Sequence, residues 1–295
     1  MKTWCVPAFA KINLGLRILG KHPDGYHEVE TFFLQIDLAD RLGFEKTAGN
    51  DLELICSRPD LPVDASNLCS RAYRLICDAV KRQLGVRLHL EKNIPAGAGL
   101  GGGSSDAAVT LIALNRLFEL NLSNDRLYHL ATQLGSDVPF FLSGGLCWGR
   151  GRGEILMPVA ELPEFWVLLV TPPIGVSTAW AYQNYNKLGL TNNQKSRKLP
   201  SSNIGQWADH ELVEVCHNDL EAAVFEKYKE LAAIKAQLQQ SGALVSSMTG
   251  SGSAMFGLFR TQQEAHGRKQ LFECCNTFVT RPIRWGIPQV YQMQY

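Results

Sequence analysis

The chain of 295 residues carries almost no surplus charge: 29 Lys and Arg stand against 28 Asp and Glu, a net of +1. Without a basic field, nothing recruits nucleic acid over a broad surface. No apolar run has the length of a membrane span. The eight cysteines form no Cys-x-x-Cys, and the adjacent Cys274 and Cys275 suit a single metal site poorly. Scattered through a chain this long, they read as reduced and often buried. Long internal repeats are also absent. With 45% hydrophobic and 19% charged residues, there is core material for one large domain or two ordinary ones.

What the sequence has instead is one unusual stretch, Pro95-Ala-Gly-Ala-Gly-Leu-Gly-Gly-Gly-Ser-Ser-Asp-Ala-Ala108. Before it, Val86–Lys92 alternates apolar and polar residues as a half-buried strand does. After it, Ala107, Leu111, Leu114 and Phe118 step at helical spacing. Strand, glycine loop and helix start make a phosphate cradle, because glycines let backbone N–H groups face a ligand and a helix N-terminus offers unpaired donors. Ser104 and Ser105 fit the helix N-cap, or a place where hydroxyls reach phosphate or a magnesium ion. Idle glycines would each destabilise the loop by about 0.5–1 kcal/mol.

Several nucleotide-binding patterns are excluded. Gly97, Gly99 and Gly102 satisfy Gly-x-Gly-x-x-Gly, but the position of a ribose-binding acid, about 20 residues on, falls in or just past the helix. The loop lacks the Gly-Lys-Ser/Thr of a Walker loop. The Val-Ala-Ile-Lys, His-Arg-Asp and Asp-Phe-Gly sets of protein kinases are missing.

Along the rest of the chain, Ala10–Leu19 has period two, so Lys11 and Asn13 share a face opposite Ala10, Ile12 and Leu14. The bland alternative is a solvated outer face. Lys21–His27 is turn-rich, Phe32–Asp37 is a strand, and short strands follow at Arg41–Lys46 and Leu52–Cys56. A helix is expected from Ser66 to Gln83, stopped by Gly85, and another begins at Ser123-Asn-Asp and stops at Gly135. Asp137 lies between that glycine and Pro139, where its carboxylate either caps a loop or does chemistry; Phe140–Leu142 then enters a strand. Gly149–Glu154 is a basic glycine turn between strands, either a plain hairpin or a contact for phosphates. Near Pro158–Glu164 the pattern changes, and the domain boundary is expected there. A strand at Trp166–Val170 and a helix at Ser177–Tyr185 follow, with Trp180 and Tyr182 either pocket walls or core. A polar surface loop spans Leu190–Asn203. Helices are expected at Ile204–Ala208, Leu220–Gln240 and Gln262–Cys275, and strands at Leu244–Met248, Ala254–Phe259 and Thr277–Arg281. Thr249-Gly-Ser-Gly-Ser253 is a second glycine-serine loop.

Pro-x-x-x-Gly-Leu-Gly followed by Ser-Ser-x-Ala-Ala resembles the nucleotide loop of the GHMP kinases. Three more stretches agree, in the family's order: Ala10–Leu16 with Asp24-Gly-Tyr-His27, Gly135–Phe141, and Thr249–Ala254. The longer loop, with Gly102 and Gly103, resembles that of members whose alcohol substrate carries a cytidyl group.

The resemblance implies an α+β, two-domain GHMP kinase fold. A ribosomal-protein-S5-like N-terminal domain would span residues 1–160 and a ferredoxin-like C-terminal domain 161–295. It implies transfer of a phosphoryl group from ATP, with Mg2+, to an alcohol. The ATP phosphates would lie on Pro95, Ala96, Gly97, Ala98, Gly99, Leu100, Gly101, Gly102, Gly103, Ser104 and Ser105. Lys11 would sit beside the reacting hydroxyl, Asp137 would accept its proton, and Asn13 would contact the substrate. Tyr26 would stack on the cytosine, His27 would read its polar edge, and Phe33 would line the same pocket. Asp106 departs from the asparagine or alanine expected of the family; in the helix's first turn its charge would favour the dipole. The partners implied are the small-molecule cytidyl substrate and ATP, with no nucleic acid and no membrane, for a monomer or weak homodimer. The N-terminus enters a strand pattern at once, which suits a bacterial cytoplasmic protein, or a plastid one after removal of a transit peptide. The alternatives are a family member acting on homoserine, mevalonate or a sugar, and an ATP sensor without catalysis.

Overall fold

The structure is a computed structural model that describes residues 4–21, 23, 25–159, 164–189, 208–286 and 289. Strand β1 (Trp4–Lys21) pairs antiparallel with β2 (His27–Lys46), and bulges interrupt the ladder after Phe9, Asn13 and Ile18. The bulges redirect the alternation: Ala10, Ile12 and Leu14 join one apolar cluster, while Leu16 and Ile18 join another. The face that bears Lys11 and Asn13 is not solvated, since each is 3% exposed. Strand β2 runs unbroken through the two stretches expected to be separate strands.

Strand β3 (Leu52–Cys56) lies parallel to β4 (Val86–Glu91), with α1 (Leu68–Val80) between them in sequence. Asn67 caps α1, and the helix stops at left-handed Lys81, four residues before Gly85. Next come α2 (Gly102–Leu117), α3 (Asn124–Leu134) and α4 (Val138–Ser143). Helix α4 corrects the expected strand at 140–142. Pro139 sits in its first turn, where the missing N–H has no intrahelical partner to lose. Strands β5 (Leu146–Arg150) and β6 (Ile155–Val159) form the expected hairpin around residues 151–154. The first sheet has the order β3-β4-β2-β5-β6, with β1 also paired to β2.

The second half holds β7 (Trp166–Thr171), α5 (Thr178–Lys187), α6 (Asp209–Val215), α7 (Glu221–Lys227), α8 (Lys229–Gln240), β8 (Val245–Met248), β9 (Met255–Phe259), α9 (Gln262–Gly267) and β10 (Asn276–Thr280). The helix expected over 220–240 is two, interrupted at Tyr228. The one expected over 262–275 is α9 followed by a 3-10 turn at Lys269–Phe272. Of the polar loop at 190–203 and the helix at 204–208, only Ala208 is among the described residues, and it is the N-cap residue of α6.

The second sheet is antiparallel in the order β10-β7-β9-β8. With helices after β7 and β9, this is the ferredoxin-like β-α-β-β-α-β arrangement. Alternate residues of β7 divide between its two faces. Leu168 and Val170 pack with Tyr185, Leu231 and Leu238 of the helices. Val167 and Leu169 pack with Ile12, Leu14, Phe32 and Leu34 of the first sheet. The two halves therefore share a core, and short bridges join Leu16 to Asn218 and Ile36 to Pro282. The expected boundary near residue 160 falls at 160–163, outside the described residues. All eight cysteines are free thiols, and four of them are buried.

Candidate active site

The glycine stretch leaves β4 and turns into α2. Gly99 and Gly101 have φ of 80° and 71°, in the left-handed region. A Cβ at Gly99 would lie 2.4 Å from the Thr249 carbonyl oxygen, and one at Gly101 2.7 Å from the Phe141 ring. Both positions thus combine a backbone that L residues avoid with no space for a side chain.

Gly101 occupies the N-cap of α2, which corrects the expected serine cap. Ser104 and Ser105 lie inside the first turn, and Ser105 is 1% exposed. No side chain caps α2. Its first-turn N–H donors lack a side-chain cap at the positive end of the helix dipole, the arrangement that suits an anion.

The loop is fastened on two sides. Lys11 N donates to Leu100 O at 3.0 Å. From the second glycine-serine loop, Ala254 N donates to Ala98 O at 3.1 Å, and Thr249 Oγ1 donates to Gly99 O at 3.4 Å. Asn13 N also donates to Thr249 Oγ1, at 2.9 Å.

Lys11 and Asp137 meet next to this loop, with Lys11 Nζ 3.3 Å from Asp137 Oδ2. Asp137 stands at the N-cap position of α4, yet its side chain makes no cap hydrogen bond. Its carboxylate faces the lysine instead. Lys11 Nζ donates to Asn13 Oδ1 at 2.5 Å, and Asn13 Nδ2 donates to Thr31 Oγ1 at 2.8 Å. Beneath the ammonium lies the Phe33 ring, 5.3 Å from Nζ to centroid, supported by Phe140. These groups line a cavity of about 150 Å³ with Gly99, Gly101, Thr178, Gly250 and Ser251.

A second cavity of about 760 Å³ adjoins the first and shares Asp137, Arg152, Thr178 and Tyr182 with it. Tyr26 and His27 also line it. His27 stacks on Tyr182 with centroids 4.9 Å apart, and its Nε2 is 2.8 Å from Asn186 Oδ1. Tyr26 is 57% exposed, and the Arg152 guanidinium lies 3.9 Å from its ring centroid. Burial, with Asp137 and Asp219 adding to it, pushes the Tyr182 hydroxyl up, so the ring stays neutral. Phe33 belongs to the small cavity and not to this one. Trp180 packs edge-on against Tyr228 and under Lys227, away from both cavities. Residues 22 and 24 of the loop before Tyr26 lie outside the described residues.

Sequence reasoning missed Arg152 and Asn186 and left Tyr182 open between wall and core. The signal for Arg152 was the arginine-glycine turn; Asn186 carried none.

Asp106 also departs from expectation. It lies beyond the first turn of α2 and is 3% exposed. Lys92 Nζ donates to Asp106 Oδ2 at 2.7 Å and to Asp40 Oδ2. Burial raises the Asp106 carboxyl to about 8; Asp40 adds to the shift and Lys92 only partly offsets it. Burial opposes the Lys92 charge, but Asp106 and Asp40 outweigh it and hold the ammonium above its ordinary range.

Among the described residues, no three His, Cys, Asp or Glu side chains gather to hold a metal. Magnesium carried on nucleotide phosphates needs few protein ligands. No helix among the described residues is long and apolar enough to cross a membrane.

A nucleotide-loop domain joined to a ferredoxin-like domain, with a lysine–aspartate pair at the seam, defines a class of small-molecule kinase. Residues 67–145 match the family described as GHMP kinases N terminal domain, and residues 205–272 match GHMP kinases C terminal. The chain belongs to the GHMP kinase family.

Among its relatives, the 4-diphosphocytidyl-2-C-methyl-D-erythritol kinase of Chlorobium chlorochromatii (strain CaD3) is 43% identical over 88% of this chain and 89% of its own. The protein of the same name from Solibacter usitatus (strain Ellin6076) is 45% identical over 86% of this chain and 80% of its own. A crystal structure of 4-(cytidine 5'-diphospho)-2C-methyl-D-erythritol kinase is similar at a TM-score of 0.81 and 34% identity, over 96% of this chain and all of that one.

Proposed function

We propose that the chain is an ATP-dependent kinase that phosphorylates the 2-hydroxyl of 4-diphosphocytidyl-2-C-methyl-D-erythritol to its 2-phosphate, in non-mevalonate isoprenoid precursor biosynthesis. The observation that carries the reading is the pair of adjoining cavities. Tyr26 and His27 line one, Lys11 and Asn13 the other, and Asp137, Arg152 and Tyr182 border both. A base with its diphosphate, followed by an alcohol, has the same linear order. The relatives' names support the substrate.

In this reading the glycine loop, residues 95–105, holds the ATP phosphates through backbone N–H groups. Asn13 and Lys11 orient the reacting hydroxyl. Lys11 stabilises negative charge on the transferring group, which outweighs any covalent contribution in such reactions. As the new O–P bond forms and the bond to the leaving diphosphate breaks, Asp137 takes the hydroxyl proton. An aspartate is a weak base for an alcohol, so it positions the hydroxyl early and receives the proton late. Magnesium, when bound on the ATP phosphates beside Ser104 and Ser105, would neutralise their negative charge. Tyr26 and Tyr182 offer ring faces to the cytosine, and His27, oriented by Asn186, offers a polar edge. Phe33 serves as the floor beneath Lys11.

We take residues 1–160 and 161–295 as the two domains, and the protein as a cytoplasmic monomer or weak homodimer; the bacterial relatives favour that compartment over a plastid.

The test is ATP consumption with a panel of alcohols: the cytidyl substrate, the same compound without cytosine, mevalonate and homoserine. Turnover on the first alone is expected. Turnover on mevalonate or homoserine overturns the substrate and leaves the kinase.

A further inference from the structure

The glycine loop poses a mechanical problem. Its backbone has to hold N–H groups at fixed positions, yet glycine is the residue least able to hold its own conformation. The side chains that restrain the loop from behind are Asp40, Lys92 and Asp106, and neither cavity of the site includes them.

Asp40 lies in β2 and is fully buried. Its Oδ1 accepts from Asn93 N at 2.5 Å and from Ile94 N at 2.8 Å, the two amides that lead into the loop. Its Oδ2 accepts from Lys92 Nζ. The same ammonium donates to Asp106 Oδ2, on the helix that leaves the loop. The Lys92 side chain is 5% exposed. A Cβ at Gly102, the first residue of α2, would lie 3.3 Å from Lys92 Nζ. One buried ammonium thus ties the segment before the loop to the helix after it, beside the first residue of that helix.

Asp40 already pairs with the ammonium, so a second buried acid here is one more polar group than packing needs, and Asp106 Oδ1 is buried without a hydrogen-bond partner. A core that wanted only packing would fill this place with apolar groups. We propose that Asp106 is a positioning residue for the nucleotide: through Lys92 and Asp40 it clasps the two ends of the glycine loop and sets the spacing of the phosphate-binding amides. This rests on the reading of residues 95–105 as the ATP loop.

The test uses the full-length enzyme with Asp106→Ala and Asp106→Asn. Alanine suits a helix interior and leaves Lys92 paired with Asp40 alone. It opens the clasp while removing a buried acid whose Oδ1 has no partner. Asparagine keeps an acceptor for Lys92. Asp106→Ala is expected to raise KM for ATP about tenfold, to change KM for the alcohol less than twofold, and to leave the melting temperature equal or higher. Asp106→Asn is expected to restore most of the ATP affinity.

The proposal fails if Asp106→Ala keeps KM for ATP within twofold of the parent, or if both KM values rise together with a loss of melting temperature. Should the alanine variant not fold, the Lys92→Met, Asp106→Asn double variant gives the same reading, because it removes the ammonium and one carboxylate together. Binding of a non-hydrolysable ATP analogue to the parent enzyme separates the two ideas. No binding overturns the loop as the nucleotide site. Binding that is equally tight in parent and variants overturns only the clasp.

Discussion

Lys11 and Asp137 come from different elements, a bulged strand and a short helix, and their charged groups stand 3.3 Å apart beside the glycine loop. Neither is spent on secondary structure. Asp137 leaves its helix uncapped, and Lys11 bonds Asn13. In the proposed mechanism, Asp137→Asn and Lys11→Ala each lower turnover by about two to four orders of magnitude, the usual range for a positioned acid or base. Binding of an ATP analogue is expected to weaken by less than threefold in both. Turnover of Asp137→Asn near that of the parent would remove the base assignment.

Tyr182 carries the second prediction. Stacking of a base on an aromatic ring contributes about 1–3 kcal/mol, so Tyr182→Ala is expected to raise KM for the cytidyl alcohol by about 5- to 150-fold. KM for ATP should hold. Arg152→Ala, which removes the cation bordering both cavities, should raise the same KM and make it less sensitive to salt. Steady-state kinetics at two ionic strengths check both.

Gly101→Ala puts a methyl group where the Phe141 ring already is, on a backbone with φ of 71°. The left-handed conformation alone costs about 1–2 kcal/mol, and the collision adds to it. A fall of several degrees in melting temperature is expected, with KM for ATP raised more than tenfold. Gly97→Ala is the control. Its φ is also positive, but nothing lies within 4 Å of the added methyl, so its effects should be smaller on both counts.

The Asp106 carboxyl gives a stability prediction. Burial raises it in the folded protein, so between the ordinary carboxylate range and about 8 the folded state holds a proton that the unfolded chain has lost. Stability contributed by such a group is complete at low pH and declines as pH rises through that window. Thermal melting from pH 5 to 8 should therefore fall more steeply in the parent than in Asp106→Asn. Parallel curves would count against the raised value.

Much of this was legible in advance, for reasons specific to each element. The glycine loop is a local pattern whose residue types carry its meaning, whereas spacing left Lys11 and Asn13 open with a solvated face and Asp137 with a loop cap, and only the family resemblance singled them out. The period-two runs gave β3 at its observed bounds. What stayed hidden depends on partners distant in sequence. Asp106 read as a helix-start charge because Lys92 and Asp40 approach it only in the folded chain. Asn186 reaches His27 across 159 residues. Phe140–Leu142 read as a strand because a short apolar run fits a buried strand or a buried helix equally well, and the first-turn role of Pro139 decides between them. Phe33 went to the wrong cavity because alternation gives the face of a strand but not what stands opposite it.

The two glycine loops, 150 residues apart, meet at Gly99 and Thr249, where the threonine hydroxyl donates to the glycine carbonyl and the Thr249 carbonyl leaves no room for a side chain on Gly99. Each is part of the mould in which the other is cast. A chimera that took its first half from this chain and its second from a distant relative would set the loop at 97–101 against a surface it was not shaped for. The two halves are separable as sheets but not as heritable parts, and the freedom of residues 249–254 to vary is bounded by a glycine in the other half.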